Sequence, residues 1–115
     1  MRVGYIELEG IRHPLCFSLA AADELTEAFG SLEAMEEALT SDNVSTFAKG
    51  LDVTMTALMR AGRIRAQAVG EELPPPIRCR PIDLIGVNDR KAIFAIHQTI
   101  AKDSKTEIEV DGKNG

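Results

Sequence analysis

Aromatic residues are scarce in this chain of 115 residues, which has four Phe, one Tyr and no Trp. Its core must therefore be built mainly from Leu, Ile, Val, Met and Ala. Apolar residues make up 44% of the sequence, which is enough to close one modest core at a length common for single domains. The composition therefore favours one small globular unit.

Long apolar runs are also missing. No segment approaches the ~20 apolar residues that a membrane-spanning helix needs, and the first residues contain no apolar stretch of signal-peptide length. The two cysteines, Cys16 and Cys79, lie far apart in the sequence. This sparse use of cysteine favours a reduced, cytoplasmic protein. The lack of a long apolar run argues against a membrane role.

Sequence motifs for catalysis and cofactor binding are absent. The chain has no G-x-G-x-x-G, no G-x-x-x-x-G-K-[ST] and no H-E-x-x-H. Two histidines and two cysteines could form a zinc site, but the only near pair, His13 and Cys16, would point to opposite faces of a strand. A surface or edge histidine and a small buried thiol explain these residues better. We therefore predict no enzymatic activity, no cofactor and no metal.

The charges are distributed unevenly along the chain. Residues 1–59 hold ten acidic and three basic side chains, a balance of −7, whereas residues 60–115 hold eight acidic and ten basic ones, a balance of +2. The negative charge of residues 1–59 repels phosphate, which argues against nucleic acid as a partner. The arginines at positions 60, 63, 65, 78 and 80 lack interleaved aromatic residues, so they do not resemble a nucleic-acid surface.

A β-hairpin is predicted at the start of the chain. Apolar residues between Val3 and Phe17 flank a Glu9-Gly10 turn. Pro14 cannot donate to a strand ladder, so the second strand is expected to be an edge or to be bulged there.

Two short helices are predicted to meet at a corner formed by Phe29, Gly30, Ser31 and Leu32. Apolar residues recur at three- and four-residue steps on both sides of it, including Leu19 and Leu25 before the corner and Met35 after it. Gly30 can close the first helix in a left-handed conformation, and the Ser31 hydroxyl can cap the second. Acidic residues occupy the outer faces of both helices.

A longer helix is predicted from about Val44 to about Ala61, with Gly62 as its stop. Residues 63–72 could add a further turn or two. Three prolines, Pro74 to Pro76, form a stiff spacer before a last helix over 92–101. The fold class is therefore α+β, mainly helical: an N-terminal β-hairpin followed by a bundle of about four helices, with a Pro-rich spacer before the last one.

This pattern predicts a hairpin-plus-helices domain over 1–72, a spacer and helical arm over 73–102, and a mobile tail over 103–115. Within the tail, residues 106–110 alternate enough to form a strand on binding.

Three stretches of the chain resemble the small tail assembly chaperones of long-tailed phages and prophages. They are Tyr5 to Phe17, with the pattern Y-x-E-L-x-G-x-x-x-P-L-x-F; Glu27 to Leu39, which reads EAFGSLEAMEEAL; and Thr54 to Gly62, a helix that ends in LMRAG. Together they span roughly the first two thirds of the chain. The Pro-rich spacer and the apolar last helix depart from the simplest family pattern.

The resemblance implies a non-enzymatic protein of the host cell cytoplasm that coats the tape-measure protein and helps to recruit tail tube subunits. Separately from the resemblance, the stiff spacer favours self-association, because an arm set at a fixed distance suits subunit exchange or ring formation. Two other functions stay open: a structural tail component, such as a tube or connector subunit, and a small intracellular adaptor unrelated to phage.

The last helix supplies the predicted partner-binding residues, which are Ile93, Phe94, Ile96 and Ile100. Because these residues surround much of the helix, the helix needs an apolar partner. That partner is either the core of the same domain or a docked protein, and the sequence leaves both possibilities open.

Overall fold

The computed structural model describes residues 3–100. Two antiparallel strands, β1 (Val3–Leu8) and β2 (Ile11–Cys16), are followed by α1 (Leu19–Phe29), α2 (Leu32–Leu39) and α3 (Val44–Ala68). The chain is helical again over residues 90–100, here named α4. This order confirms the predicted α+β, mainly helical fold. The predicted mobile tail over 103–115 and the strand over 106–110 lie outside the described residues.

The hairpin forms because its turn residues tolerate positive φ. Glu9 has φ 51° and Gly10 has φ 77°, the combination that a two-residue type I′ turn requires. Pairing runs without interruption from Leu8↔Ile11 to Val3↔Cys16, so the expectation of a bulge at Pro14 is wrong and the edge alternative holds. Because hydrogen-bonded and non-hydrogen-bonded pairs alternate from the turn, Pro14 falls on a non-hydrogen-bonded pair and costs the hairpin no bond.

Side-chain caps fix the start of each of the first three helices. The oxygens of Ser18, Ser31 and Asn43 accept hydrogen bonds from backbone N–H groups of the first turns of α1, α2 and α3. Gly30 has φ 91°, and its N–H donates to the Thr26 carbonyl. The predicted corner from Phe29 to Leu32 is therefore confirmed.

Helix α3 extends beyond Gly62, in agreement with the alternative that residues 63–72 add a further turn or two. It continues through Gly62 to Ala68, so the prediction that Gly62 stops the helix is wrong. Gly62 is buried against the backbone of β2, and a Cβ added there would overlap the Pro14 carbonyl and lie 2.8 Å from the Leu15 nitrogen. The glycine is thus required by the close approach of α3 to the hairpin, which outweighs its low helix propensity.

A second glycine of α3 serves a similar purpose. Gly50 faces α2, where an added Cβ would lie 2.9 Å from the Ala38 Cβ and 3.7 Å from the Phe29 ring. The missing side chain at Gly50 therefore lets α3 cross α2 closely.

Helix α4 packs onto the same core as the hairpin. Ala92, Ile96 and Ile100 belong to one buried cluster with residues of both strands and of α1 to α3. Gly4 of β1 makes room for Thr99, because a Cβ at Gly4 would overlap the Thr99 hydroxyl. The helix begins at residue 90, two residues earlier than predicted, and Asp89 caps it by accepting from the Ala92 N–H at 3.1 Å.

His13 lies on the edge strand β2 but its side chain is in the core, so of the two expected positions the surface one is wrong. It is 2% exposed and pairs with the buried Ile6 across the hairpin. Its Nε2 atom has no hydrogen-bond partner among the described residues. Burial, together with the nearby Arg63 guanidinium, lowers the pKa of His13 below its ordinary value of 6.5. The folded state therefore favours the neutral imidazole.

We expect Gly62→Ala to lower the free energy of unfolding by about 1–3 kcal/mol, the usual cost of overpacking. The added methyl meets backbone atoms of Pro14 and Leu15, which cannot rotate away. Urea unfolding followed by circular dichroism would measure the loss. Gly86→Ala is the control, since its added Cβ has no atom within 4 Å apart from those of the residue itself and its two chain neighbours. A Gly62→Ala variant as stable as the wild type would contradict the close approach.

Acidification is expected to destabilise the fold through His13. Because its pKa is lower in the folded state, the unfolded state binds more protons as the pH falls through 6.5, and the free energy of unfolding decreases until the pH is below the folded-state pKa. Comparing urea midpoints between about pH 7.5 and about pH 5, His13→Leu should depend less on pH than the wild type. His97→Leu, which keeps His13, is the control variant.

Candidate partner-binding groove

An open apolar groove runs between α1 and the second half of α3, and we name it the α1–α3 groove. Its volume is about 430 Å³. The α3 wall presents a stripe of Ala57, Ala61, Ile64 and Ala68, which recur at alternating steps of four and three residues. The α1 wall is formed by Ser18, Ala20, Ala21 and Glu24.

Large apolar side chains stand exposed along this groove. Ile64 and Val69 line it and are 62% and 56% exposed. Leu19, in the first turn of α1, is 87% exposed but is not among the residues that line the groove. Leu19 was predicted to lie on the packed stripe of α1, and that prediction is wrong. Exposed apolar groups that cluster in this way are typical of protein-binding surfaces.

The two walls run in opposite directions. Phe29, at the end of α1, lies beside Gly50 in the first half of α3. Glu24, nearer the start of α1, forms an ion pair with Arg60, which lies further along α3. The groove therefore extends from this ion pair towards the N-terminus of α1 and the C-terminus of α3.

The charged groups that line the groove are already paired. Glu24 and Arg60 pair with each other across it, and Arg65 donates to Glu71 at 3.0 Å. The remaining lining is almost entirely aliphatic. A pocket for a small polar molecule needs convergent polar groups that are available to the ligand, so the geometry fits an apolar occupant better.

The structure separates the four predicted partner-binding residues of α4. Ile96 and Ile100 are 0% and 5% exposed and belong to the core, so in this fold they are not on a docking surface. Ile93 is half-buried, and Phe94 is 62% exposed. The core alternative therefore describes Ile96 and Ile100, whereas Phe94 stays a candidate contact residue.

Phe94 borders a second, smaller depression. This cavity of about 310 Å³ lies between α4 and β1 and is lined by Tyr5, Phe94 and Gln98, among other residues. Its lining is more polar than that of the α1–α3 groove, and the Oε1 atom of Gln98 has no partner among the described residues.

The residues considered for metal binding do not assemble. His13 and Cys16 are buried on β2, Cys79 is exposed after the proline spacer, and His97 is on α4. Within residues 3–100, no group of three or more His, Cys, Asp or Glu side chains is placed to hold a metal ion. No helix in this part of the chain combines the length and apolarity needed to cross a membrane.

The sequence prediction does not include the α3 stripe, because it favours a helix end near Ala61 and finds only a weak helical register over residues 63–72. Its signal is nevertheless present in the sequence: Ala57, Ala61, Ile64 and Ala68 follow the alternating spacing of a coiled-coil seam. The spacing continues beyond Gly62, although glycine is common at helix ends and therefore favours a stop there.

Phe94→Asp should leave the fold intact and weaken any self-association. The side chain is largely exposed, so we expect a loss of less than about 1 kcal/mol in unfolding free energy. Ile96→Asp is the contrasting variant, because it places an unpaired charge in the core and should unfold the domain. Thermal melts and size-exclusion chromatography with light scattering would check both effects. Loss of the fold in Phe94→Asp would mean that the Phe94 side chain is part of the core.

Comparisons with known proteins give no identification. The chain matches no protein-family model, no curated protein and no solved structure. A functional interpretation therefore depends on the sequence resemblance and on the geometry of the α1–α3 groove.

Proposed function

We propose that this protein is a non-enzymatic assembly chaperone of a phage or prophage tail. In this proposal it works in the host cell cytoplasm, binds the tape-measure protein and assists polymerisation of tail tube subunits around it. The resemblance of three stretches, Tyr5 to Phe17, Glu27 to Leu39 and Thr54 to Gly62, gives the proposal its specific family.

The observation that carries the proposal is the open α1–α3 groove on a domain with an acidic exterior. A chaperone of this kind must cover apolar helical surface of a long partner while the complex stays in solution. The groove exposes Ile64, Val69 and Ala68 beside α1, whose exposed positions include Asp23 and Glu27. Apolar contact in the groove and charge outside it serve these two requirements.

A tail tube or connector subunit is the alternative function. Tube subunits usually close rings through an extensive β-sheet, and the sheet within residues 3–100 has two strands. That observation favours the chaperone over the structural subunit. A small adaptor protein unrelated to phage would share the acidic surface, but it would not account for the three resembling stretches.

Co-expression with the product of the next long reading frame downstream tests the proposal. We expect the partner to be insoluble alone and to co-purify as a defined complex with this protein, which light scattering would measure. Ile64→Asp should reduce recovery of the complex, because it places a charge in the groove at a position already 62% exposed. Val87→Asp is the matched control, since Val87 is 83% exposed and lies outside the groove.

Three outcomes would count against the chaperone function. The first is a partner that stays insoluble with the wild-type chain. The second is formation of closed rings or tubes by this protein alone, which would favour the structural subunit. The third is presence of the protein in purified particles, since the proposed chaperone leaves before the particle is complete.

A further inference from the structure

We propose that the outer edge of β1 binds one more strand, and that residues 106–110 of the same chain, which read TEIEV, supply it. The outer edge is the side of β1 that faces away from β2. This inference goes beyond the proposed function, because it concerns how the chain binds its own C-terminal segment and does not depend on a phage partner.

The hairpin leaves one of its two edges open. Hydrogen-bonded pairs alternate from the turn, so residues 4, 6 and 8 bond to β2 through their N–H and C=O groups. The backbone groups of Tyr5 and Glu7 therefore point outward. Within residues 3–100 the sheet has only these two strands, and no further backbone hydrogen bond reaches Tyr5 or Glu7. An unpaired edge of this kind is a template for another strand.

The opposite edge of the hairpin is protected. β2 carries Pro14, which has no N–H to donate, and the Pro14 carbonyl lies against Gly62 of α3. Proline and a covering helix are devices by which natural sheets prevent pairing with further strands. β1 contains no proline, and a depression of about 310 Å³ lies between its residue Tyr5 and Phe94 of α4. Only β1 therefore offers an edge for a further strand.

The chain that follows α4 starts beside this edge. Thr99, near the end of the described part of α4, lies against Gly4 at the start of β1. The link from Ile100 to Thr106 spans up to about 20 Å when extended, and a strand as long as β1 measures about 17 Å. Residues 106–110 can therefore reach every position along the edge. So short a tether gives the segment an effective concentration of about 1 mM, which favours it over the same segment of a second copy.

The residue pattern of the segment fits this position. Thr106, Ile108 and Val110 alternate with two glutamates, so one face of an extended segment is largely apolar and the other is charged. With Ile108 and Val110 on the side of the sheet that faces the core, the strand extends the apolar surface of the hairpin towards α4. There it would cover Phe94, which is 62% exposed, and bury apolar area on both sides of the contact.

The outer face of the hairpin supplies a matching charge. The Arg12 guanidinium lies 3.8 Å from the centroid of the Tyr5 ring, and within residues 3–100 it forms no ion pair. A glutamate of the added strand placed beside Tyr5 would lie close to this guanidinium. Glu7 is exposed on the same face and repels a glutamate beside it. The favoured register therefore places one glutamate beside Tyr5 and the other towards Val3.

Amide hydrogen exchange, measured by NMR on the full chain, tests the inference. We expect the outward N–H of Tyr5 to exchange about tenfold more slowly in the wild type than in Ile108→Asp/Val110→Asp, which places two charges on the apolar face of the segment. The N–H groups of Ile6 and Leu8 bond to β2 and should stay protected in both proteins.

Two further variants and a peptide serve as controls. Gly112→Asp/Asn114→Asp adds the same two negative charges outside residues 106–110 and should keep the wild-type protection of Tyr5. Ile108→Gly/Val110→Gly adds no charge but removes the apolar contacts and weakens the strand, so it should lose the protection. An excess of a peptide of residues 104–112 should restore the protection of Tyr5 in Ile108→Asp/Val110→Asp.

Several results would overturn the inference. The first is equal exchange of the Tyr5 N–H in the wild type and in Ile108→Asp/Val110→Asp, and the second is an equal loss of protection in Gly112→Asp/Asn114→Asp. Loss of protection at Ile6 and Leu8 in the first variant would show that the segment belongs to the core. A wild-type dimer that dissociates in this variant, seen by analytical ultracentrifugation, would assign the edge to the segment of a second copy.

Discussion

The close contact between α3 and the hairpin at Gly62 determines where the rest of the molecule lies. Without a side chain at this position, α3 approaches the Pro14 carbonyl and passes beside β2 instead of ending there. One face of α3 is thereby committed to the core, through residues such as Met55 and Leu58. The adjacent stripe that includes Ile64 is left beside the start of α1, which covers it only partly. The groove is a consequence of this geometry.

Helix α4 packs onto the core, so its buried apolar residues stabilise the fold and are not available to a partner. Ile96 is fully buried. Because Gly4 has no side chain, there is room for Thr99, and α4 can pack closely against β1. The segment after the prolines is therefore packed on the hairpin, and Arg63 adds a hydrogen bond of 2.8 Å from α3 to the Pro74 carbonyl of the spacer. Phe94 is the exposed aromatic residue of α4. The α1–α3 groove presents the exposed aliphatic residues Ile64 and Val69.

Charge and apolar surface are arranged in adjacent bands. The groove pairs its own charges across its walls, through Glu24 and Arg60, so its lining presents mainly aliphatic groups. Elsewhere on α1, Asp23 and Glu27 are exposed to solvent. The charged side chains that line the groove are of both signs, Glu24 from α1 and Arg60 and Arg65 from α3.

The sequence by itself determined the local structure: the Glu9-Gly10 turn, the Ser31 cap of α2 and the Gly30 corner. These features depend on the conformational preferences and hydrogen bonds of a few neighbouring residues. Only the tertiary structure decided that α3 continues through Gly62 and that His13 is buried. It also decided that Ile96 is a core residue of α4 whereas Phe94 is exposed. In each case the sequence allowed two environments, and the choice depended on which distant segment packed against the residue. The groove belongs to this second group, because its two walls are separated in sequence by about 40 residues and meet only in the folded chain.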